Sequence, residues 1–427
     1  MYAINEKLLE RHEKGNPVRA ALIGAGQMGT DIIAQAEQMK GFVLPIVVDL
    51  SFERLRKAFA TAEYRRQVVY TDSFDEAQKA AAGGKTAATT DWKIAVSLPS
   101  VDVVIDSTGS PEMGAIVTLE CCARKKHIVM MNVECDVTVG PILRKKAEAA
   151  GIIYTLAAGD EPAAIMELYR FAEALGFEII CAGKGKNNPL DLTATPETLA
   201  EKAKARNMSA SMLCEFVDGS KTAIEMAAVS NATGLVPDVR GMHGAKSTVD
   251  TLNKVFCTKK DGGVLERAGA VDFAIGVHPG VFLVVGSKSA RLRDSLIQRD
   301  MGTGPAYTLF RPFHLCSIEV PLTAAQTVIY GESSGHPLST RTSECIAVAK
   351  RNLKAGETLD GIGGFCYRVS IDRADVARAE RLLPAGLAKN CTLKTDVAAG
   401  QVITYDMIAS LPDTMLAKLR REQDASA

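Results

Sequence analysis

No apolar run in the chain approaches the roughly 20 residues that a membrane-spanning helix needs, so no span is expected. The opening Met-Tyr-Ala-Ile-Asn-Glu-Lys lacks the apolar core of a secretory signal, and a cytoplasmic location is the expectation. There is no excess of either charge: 50 Lys and Arg balance 50 Asp and Glu. That balance leaves no basic field to recruit nucleic acid. The 10 cysteines are scattered without a C-x-x-C pair, only Cys121 and Cys122 being adjacent, so reduced and mostly buried thiols are expected rather than disulfides or a zinc site. What the chain does have is size and apolar content. With 427 residues, 47% of them hydrophobic, it can build two or three domains with substantial cores.

The most informative stretch is Val18-Arg-Ala-Ala-Leu-Ile-Gly-Ala-Gly-Gln-Met-Gly29, a buried strand, a glycine-rich turn and a helix start. Gly24, Gly26 and Gly29 fill the G-x-G-x-x-G pattern. The first glycine serves the tight turn, the second the approach of backbone to a pyrophosphate, and the third close packing of helix on strand. With Ala25, Gln27 and Met28 they place backbone amides at a helix N-terminus, where phosphate is favoured. A second apolar strand, Phe42-Val-Leu-Pro-Ile-Val-Val48, ends in Asp49, where a carboxylate meets the adenosine ribose in such folds.

Strand and helix patterns then alternate. Strands are expected at Gln67–Tyr70, Val101–Ile105, His127–Met131 and Ile152–Leu156. The helices expected between them include Ser51–Thr61, Ser73–Ala82 and Val139–Ala150, and a flexible loop is expected at Gly83–Thr90. This is the pattern of a doubly wound parallel sheet with right-handed crossovers, an α/β Rossmann domain. Ser107-Thr108-Gly109 and Asn132 directly follow strands, so they fall at the carboxyl edge where ligands bind in open parallel sheets. The expected division is 1–160 for dinucleotide binding, 161–340 for an α+β catalytic and dimerisation domain, and 341–427 for a small β-rich module.

Two clusters carry candidate chemistry. Gly183-Lys-Gly-Lys-Asn-Asn188 reads as a glycine-loosened loop after a strand. Its Lys184 and Lys186, with Asn187 and Asn188, suit a phosphate, a carboxylate or a polarised carbonyl, or read equally as a solvated basic turn. Asp218-Gly-Ser-Lys221 opens a helix that Ser220 can cap, in which Lys221 and Glu225 are one turn apart, followed by Asn231. Its apolar neighbours favour burial and an acid–base role over a surface ion pair. Asp160 and Glu161 stand at the head of another helix, as caps, as partners for a lysine, or as ligands of an ion. His243, His278 and His314 fall in loops, and Arg311 with His314 could grip an anion.

The fingerprint, Asp106-Ser-Thr-Gly, Gly159-Asp-Glu-Pro and Gly183-Lys-Gly-Lys-Asn together resemble the homoserine-dehydrogenase-like oxidoreductases that carry a C-terminal SAF domain. The likeness runs over most of the chain, and the phrases around Ala347–Leu411 look like the SAF module itself. Within that group the chain looks most like the 1-deoxy-D-xylulose-5-phosphate reductoisomerase-like enzymes. The resemblance implies a nicotinamide site at Gly24, Gly26, Gly29, Ser107, Thr108 and Asn132. It implies that Lys184, Lys186, Asp218 and Lys221 surround a small phosphorylated, sugar-like substrate, with Glu161 catalytic. Asn187, Asn188, Glu225, Asn231, Arg311 and His314 would bind that substrate. It also implies NADP(H) rather than NAD(H): Asp49 is the usual sign of NAD, and Ser51, Arg54 and Arg56 would receive the 2′-phosphate if Asp49 turns away. It leaves room for a divalent metal (Mg or Mn) without a ligand set. Separately, apolar strands such as Val281-Phe-Leu-Val-Val285 suit pairing across a two-fold, so a homodimer is expected. Two other readings stay open: a homoserine-dehydrogenase-type alcohol–aldehyde oxidoreductase, and a nucleotide-sensing binding protein.

Overall fold

A computed structural model describes residues 3–426. Its contacts divide the chain into two compact units, Met1–Ala163 with Leu315–Ser339, and Ala164–His314 with Thr340–Ala427. Residues 315–339 fall in the first unit, and the C-terminal segment falls in the second.

The first unit runs α1 (Ile4–Glu13), β1 (Val18–Ile23), α2 (Gln27–Gln38), β2 (Phe42–Val48), α3 (Phe52–Thr61), β3 (Val68–Tyr70), α4 (Phe74–Ala82), β4 (Thr86–Thr89), α5 (Trp92–Ser97), β5 (Val103–Asp106), α6 (Pro111–Arg124), β6 (His127–Met130), α7 (Val133–Ala150) and β7 (Tyr154–Leu156). The strands form one parallel sheet in the order β3-β4-β2-β1-β5-β6-β7, a doubly wound Rossmann arrangement. Its central strands are mostly apolar, Arg19 and the terminal Asp106 apart, because helices cover both faces. Ser51, Ser73, Asp91, Ser110 and Asn132 each accept a backbone N–H in the first turn of the helix they precede, which sets where α3 to α7 begin.

Two local expectations are corrected. Residues Thr86–Thr89, read as part of a loop, form β4, buried between β2 and β3, where the Thr86 hydroxyl donates to the Leu44 carbonyl at 2.8 Å. Small Ala and β-branched Thr fit a tightly covered strand, which outweighs the preceding Gly83-Gly84 punctuation. Helix α7 begins at Val133, six residues before the expected Val139, because Asn132 caps it, and it accommodates Pro141 within its length. The later helix Cys316–Tyr330 contributes Val320, Ala324 and Ala325 to the same core as Leu22, Ile32 and Phe42, which accounts for its membership of this unit.

The second unit takes up the chain within α8 (Glu161–Ala174). It continues with β8 (Glu178–Lys186), α9 (Ala200–Ala205), α10 (Ala210–Val217), α11 (Ser220–Thr233), β9 (Val236–Pro237), α12 (Leu252–Val255), β10 (Ala270–Ile275), β11 (Val281–Gly286), α13 (Ala290–Ile297) and β12 (Ala306–Arg311). Its mixed sheet has the order β12-β11-β8-β10-β9, with β8 at the centre, parallel to β10 and antiparallel to β11. Beyond α14, the helix Cys316–Tyr330 already described, come the antiparallel hairpin β13 (Ser343–Ala349) and β14 (Tyr367–Arg373), α15 (Ala374–Ala379), the short pair β15 (Thr392–Leu393) and β16 (Ile408–Ser410), and α16 (Met415–Ala425). Arg420 anchors α16 to this hairpin by donating to Glu344 at 2.6 Å. Among the described residues no helix is long and apolar enough to cross a membrane.

Candidate functional site

In the first unit the three glycines have distinct physical reasons. Gly24 has φ +102°, and a Cβ there would lie 2.6 Å from the Ser107 carbonyl oxygen; one on Gly29 would lie 2.0 Å from the Gly24 carbonyl oxygen. Both are demanded by packing. Gly26, the cap residue of α2, is different, because a Cβ there would meet nothing within 4 Å. Its bareness serves no neighbour in the protein and suits the close approach of a pyrophosphate to the head of α2. Ser107 buttresses the turn by donating to the Gly24 carbonyl at 2.7 Å.

Asp49, directly after β2, is buried with its carboxylate turned to the glycine turn. It accepts the Ala25 N–H at 2.7 Å and the Leu50 N–H at 2.7 Å, and its Oδ1 lies 2.7 Å from Arg54 Nε. The Ala25 amide is therefore spent on Asp49. Arg54 remains more than half exposed, Ser51 caps α3, and Arg56 stacks on the Tyr70 ring. Thr108 accepts the Ser110 N–H, and exposed Gly109 turns at φ +64°. Asn132 is buried; its amide donates to the Ser110 carbonyl at 2.7 Å while its oxygen caps α7. Beside it Asp106 is wholly buried, and desolvation raises its carboxyl pKa to about 6.

In the second unit the lysines do not lie in a loop. Strand β8 extends through Lys186, so Lys184 and Lys186 are alternate residues on one face of the central strand. The intervening glycines explain why the pattern reads as a loop and yet is not one. A Cβ on Gly183 would lie 2.6 Å from the Asp272 carbonyl, and one on Gly185 would lie 1.6 Å from the Val277 carbonyl. The glycines let neighbouring chain press on one face while the lysines project from the other.

Both lysines are buried. Lys184 forms an ion pair with Glu225 of α11. Lys186 donates to the Phe216 carbonyl at 2.7 Å, and burial together with the Lys184 charge lowers its pKa to about 8. In register, Val281 of β11 pairs with both Lys184 and Arg311, so Arg311 stands on the lysine face, two strands from Lys184. Arg311 lies 3.8 Å from Glu167 and over the Phe313 ring. His314 is half-buried just beyond β12, Asn187 is exposed, and Asn188 accepts from Arg206 at 3.0 Å.

The head of α11 is built differently from the Ser220 cap that the sequence indicates. Gly219, at φ +85°, precedes the helix; Ser220 is its first residue and accepts the Val369 N–H at 2.8 Å. Asp218, wholly buried, accepts the Ser220 N–H at 2.8 Å, and its other oxygen meets Lys350 at 2.7 Å. Lys350 also donates to the carbonyls of Ala194 and Gly364, both at 2.8 Å. No signal in the sequence singles out Lys350, which is separated from Asp218 by more than a hundred residues. Asn231 accepts the N–H groups of Thr342 and Ser343, at 2.8 and 3.0 Å, and so pins the start of β13. Lys221 is half-buried in the first turn of α11. Asp160 and Glu161 are buried at the head of α8. On the opposite sheet face His243 meets Asp272 at 2.8 Å, which raises the histidine pKa; His278 is exposed.

Comparison with known proteins adds two family matches. Residues 24–157 match the homoserine dehydrogenase NAD-binding domain, and residues 159–320 match the catalytic domain of oxidoreductase DRL. No curated protein matches. Among solved structures, a probable dehydrogenase from Thermotoga maritima aligns at 14% identity and TM-score 0.42, over 74% of this chain and 90% of that one. The 1-deoxy-D-xylulose 5-phosphate reductoisomerase from Zymomonas mobilis, in complex with NADPH, aligns at 14% identity and TM-score 0.39, over 74% of this chain and 82% of that one. Likenesses this distant carry no argument about substrate.

Proposed function

From a chain that is an NAD(P)-dependent oxidoreductase, joining a homoserine-dehydrogenase-type NAD-binding domain to a DRL-type catalytic domain, we propose a reductoisomerase that converts 1-deoxy-D-xylulose 5-phosphate to 2-C-methyl-D-erythritol 4-phosphate with NADPH, a step of isoprenoid biosynthesis. The observation that carries this reading is the pair of buried lysines on one face of β8, one held by Glu225 and the other with its pKa near 8. The bound nicotinamide supplies the hydride. The rearrangement of an α-ketol skeleton and the reduction of the resulting aldehyde both build negative charge on oxygen, and preorganised cations in a dry site stabilise it. Lys184, oriented by Glu225, holds that charge. Lys186, protonated at neutral pH yet only weakly basic for a lysine, donates the proton. Arg311 on the same face and the exposed Arg54 beside Asp49 supply cations for the substrate's phosphate and for the 2′-phosphate of NADPH. The hairpin-bearing C-terminal segment is read as an SAF-like module and the enzyme as a homodimer.

A homoserine-dehydrogenase-type oxidation of a small alcohol is the second reading, favoured by the match of the NAD-binding domain. Incubating purified protein with NADPH and 1-deoxy-D-xylulose 5-phosphate separates the two. Loss of absorbance at 340 nm with formation of the branched polyol phosphate supports the first. Silence with that sugar, together with turnover of a semialdehyde, replaces it with the second.

A further inference from the structure

Both lysines of β8 are held by groups that hang on a single turn, the one between α10 and α11. The Phe216 carbonyl, near the end of α10, accepts from Lys186 at 2.7 Å, and Glu225, in the second turn of α11, pairs with Lys184. Asp218 fixes that turn. Its N–H donates to the Cys214 carbonyl at 2.8 Å, one of its side-chain oxygens accepts the Ser220 N–H at 2.8 Å, and the other meets Lys350 at 2.7 Å.

Lys350 directly follows β13 in the C-terminal segment, and its side chain is only 1% exposed. Besides Asp218, its ammonium donates to the carbonyls of Ala194 and Gly364, both at 2.8 Å, and lies 3.2 Å from the Cys214 sulfur. An ammonium has three N–H donors. Three oxygens take them, from the stretch between β8 and α9, from the α10–α11 turn and from the β13–β14 loop. A second tie runs from the same hairpin, the Val369 N–H donating to the Ser220 hydroxyl at 2.8 Å. The apolar packing here is slight, a buried cluster of Ala194, Ala203, Leu213, Cys214 and Val217. Exchanging a buried ion pair for neutral residues of similar shape is often neutral for stability. What Lys350 supplies is therefore direction: three short bonds that leave the turn one position.

We propose that Lys350 is a positioning residue of the lysine site: from the C-terminal segment it locks the α10–α11 turn and so sets the groups that hold Lys184 and Lys186. The inference rests on the proposed reaction, in which those two lysines hold charge and deliver a proton, and it gives the C-terminal segment a part in that reaction.

The test compares full-length wild type with Lys350→Met/Asp218→Asn, which removes both buried charges together, with folding checked by circular dichroism and thermal melting. The Lys186 titration is read by competitive acetic anhydride labelling, without substrate. Once the Phe216 carbonyl is no longer fixed, Lys186 gains water, and its midpoint should rise from about 8 by roughly 1 to 2 pH units. The two lost charges are adjacent and opposite, so their own field at Lys186 largely cancels. With 1-deoxy-D-xylulose 5-phosphate, kcat should fall roughly 10- to 100-fold while KM stays within about threefold. Lys350→Gln/Asp218→Asn returns a donor to the two carbonyls and should recover part of both effects; it also carries the test if the first pair fails to fold. An unchanged Lys186 midpoint in a folded variant, whatever its melting temperature, makes Lys350 a stabilising residue only and overturns the assignment, as does loss of folding in both pairs. A shifted midpoint in a protein whose wild type does not turn over 1-deoxy-D-xylulose 5-phosphate overturns the proposed reaction and leaves the hold of Lys350 on the lysine site standing.

Discussion

Replacing Lys184 with Met perturbs Lys186 in a way whose sign and size follow from the strand. Side chains two residues apart on one face of a strand are separated by about 7 Å. At an effective dielectric near 20, two unit charges at that distance repel by roughly 2.4 kcal/mol, which corresponds to about 1.7 pH units. Burial and the Lys184 charge together hold Lys186 near 8, while Glu225 and Asp218 pull the other way. Removing Lys184 alone takes away one cation and leaves Glu225 in place, so the Lys186 pKa should climb by about 1 to 2 units. Lys184→Met with Glu225→Gln removes a cation and an anion whose fields largely cancel, and should leave Lys186 within about half a unit of the wild-type value. The assay is competitive labelling with trace acetic anhydride across the alkaline range, reading the Lys186 peptide by mass spectrometry, and it needs no substrate. In wild type the labelling midpoint is expected at about 8. A wild-type midpoint at the ordinary lysine value, or single and double variants with the same midpoint, would refute the reasoning. The single variant should also be the less stable of the two, by roughly 3–5 kcal/mol, because it strands a buried carboxylate.

Three further outcomes are expected. Gly26→Ala should keep the melting temperature of wild type and lose nucleotide binding in a fluorescence titration; Gly29→Ala should lose stability first, because its Cβ would sit 2.0 Å from a carbonyl oxygen. Arg54→Ala should weaken NADPH by roughly tenfold and NADH hardly at all, so that equal losses for both would remove Arg54 from the 2′-phosphate. Asp136, buried with the Tyr154 hydroxyl 2.8 Å away, has its pKa raised to about 7 by burial. A raised carboxyl pKa means that the folded state holds its proton more tightly, so stability falls as pH rises from the unfolded value near 4 through about 7. Asp136→Asn should therefore raise the melting temperature relative to wild type more at pH 8 than at pH 5, and a pH-independent difference would count against the assignment.

Much of the first unit was legible in the sequence because its signals are local. Glycine spacing, apolar runs and capping serines each act over a few residues, and they mark β1, the glycine-rich turn before α2 and most crossover helices correctly. The misreadings arose where tertiary cover overrode local punctuation. Thr86–Thr89 is a strand because β2 and β3 enclose it, and Lys184 and Lys186 are on a strand because Gly183 and Gly185 yield to neighbouring chain.

Residue order alone determined that a glycine-rich turn joins the first strand to its helix, that a carboxylate follows the second strand, and that lysines and acids crowd two short segments. Only the folded chain decided which charges meet. Lys184 found Glu225 on α11, and Asp218 was claimed by Lys350, which directly follows β13 far along the chain. Such pairings depend on which strand and helix faces pack together over separations of many tens of residues. No short-range pattern encodes them, because a side chain's partner is set by burial and register rather than by its neighbours in the chain.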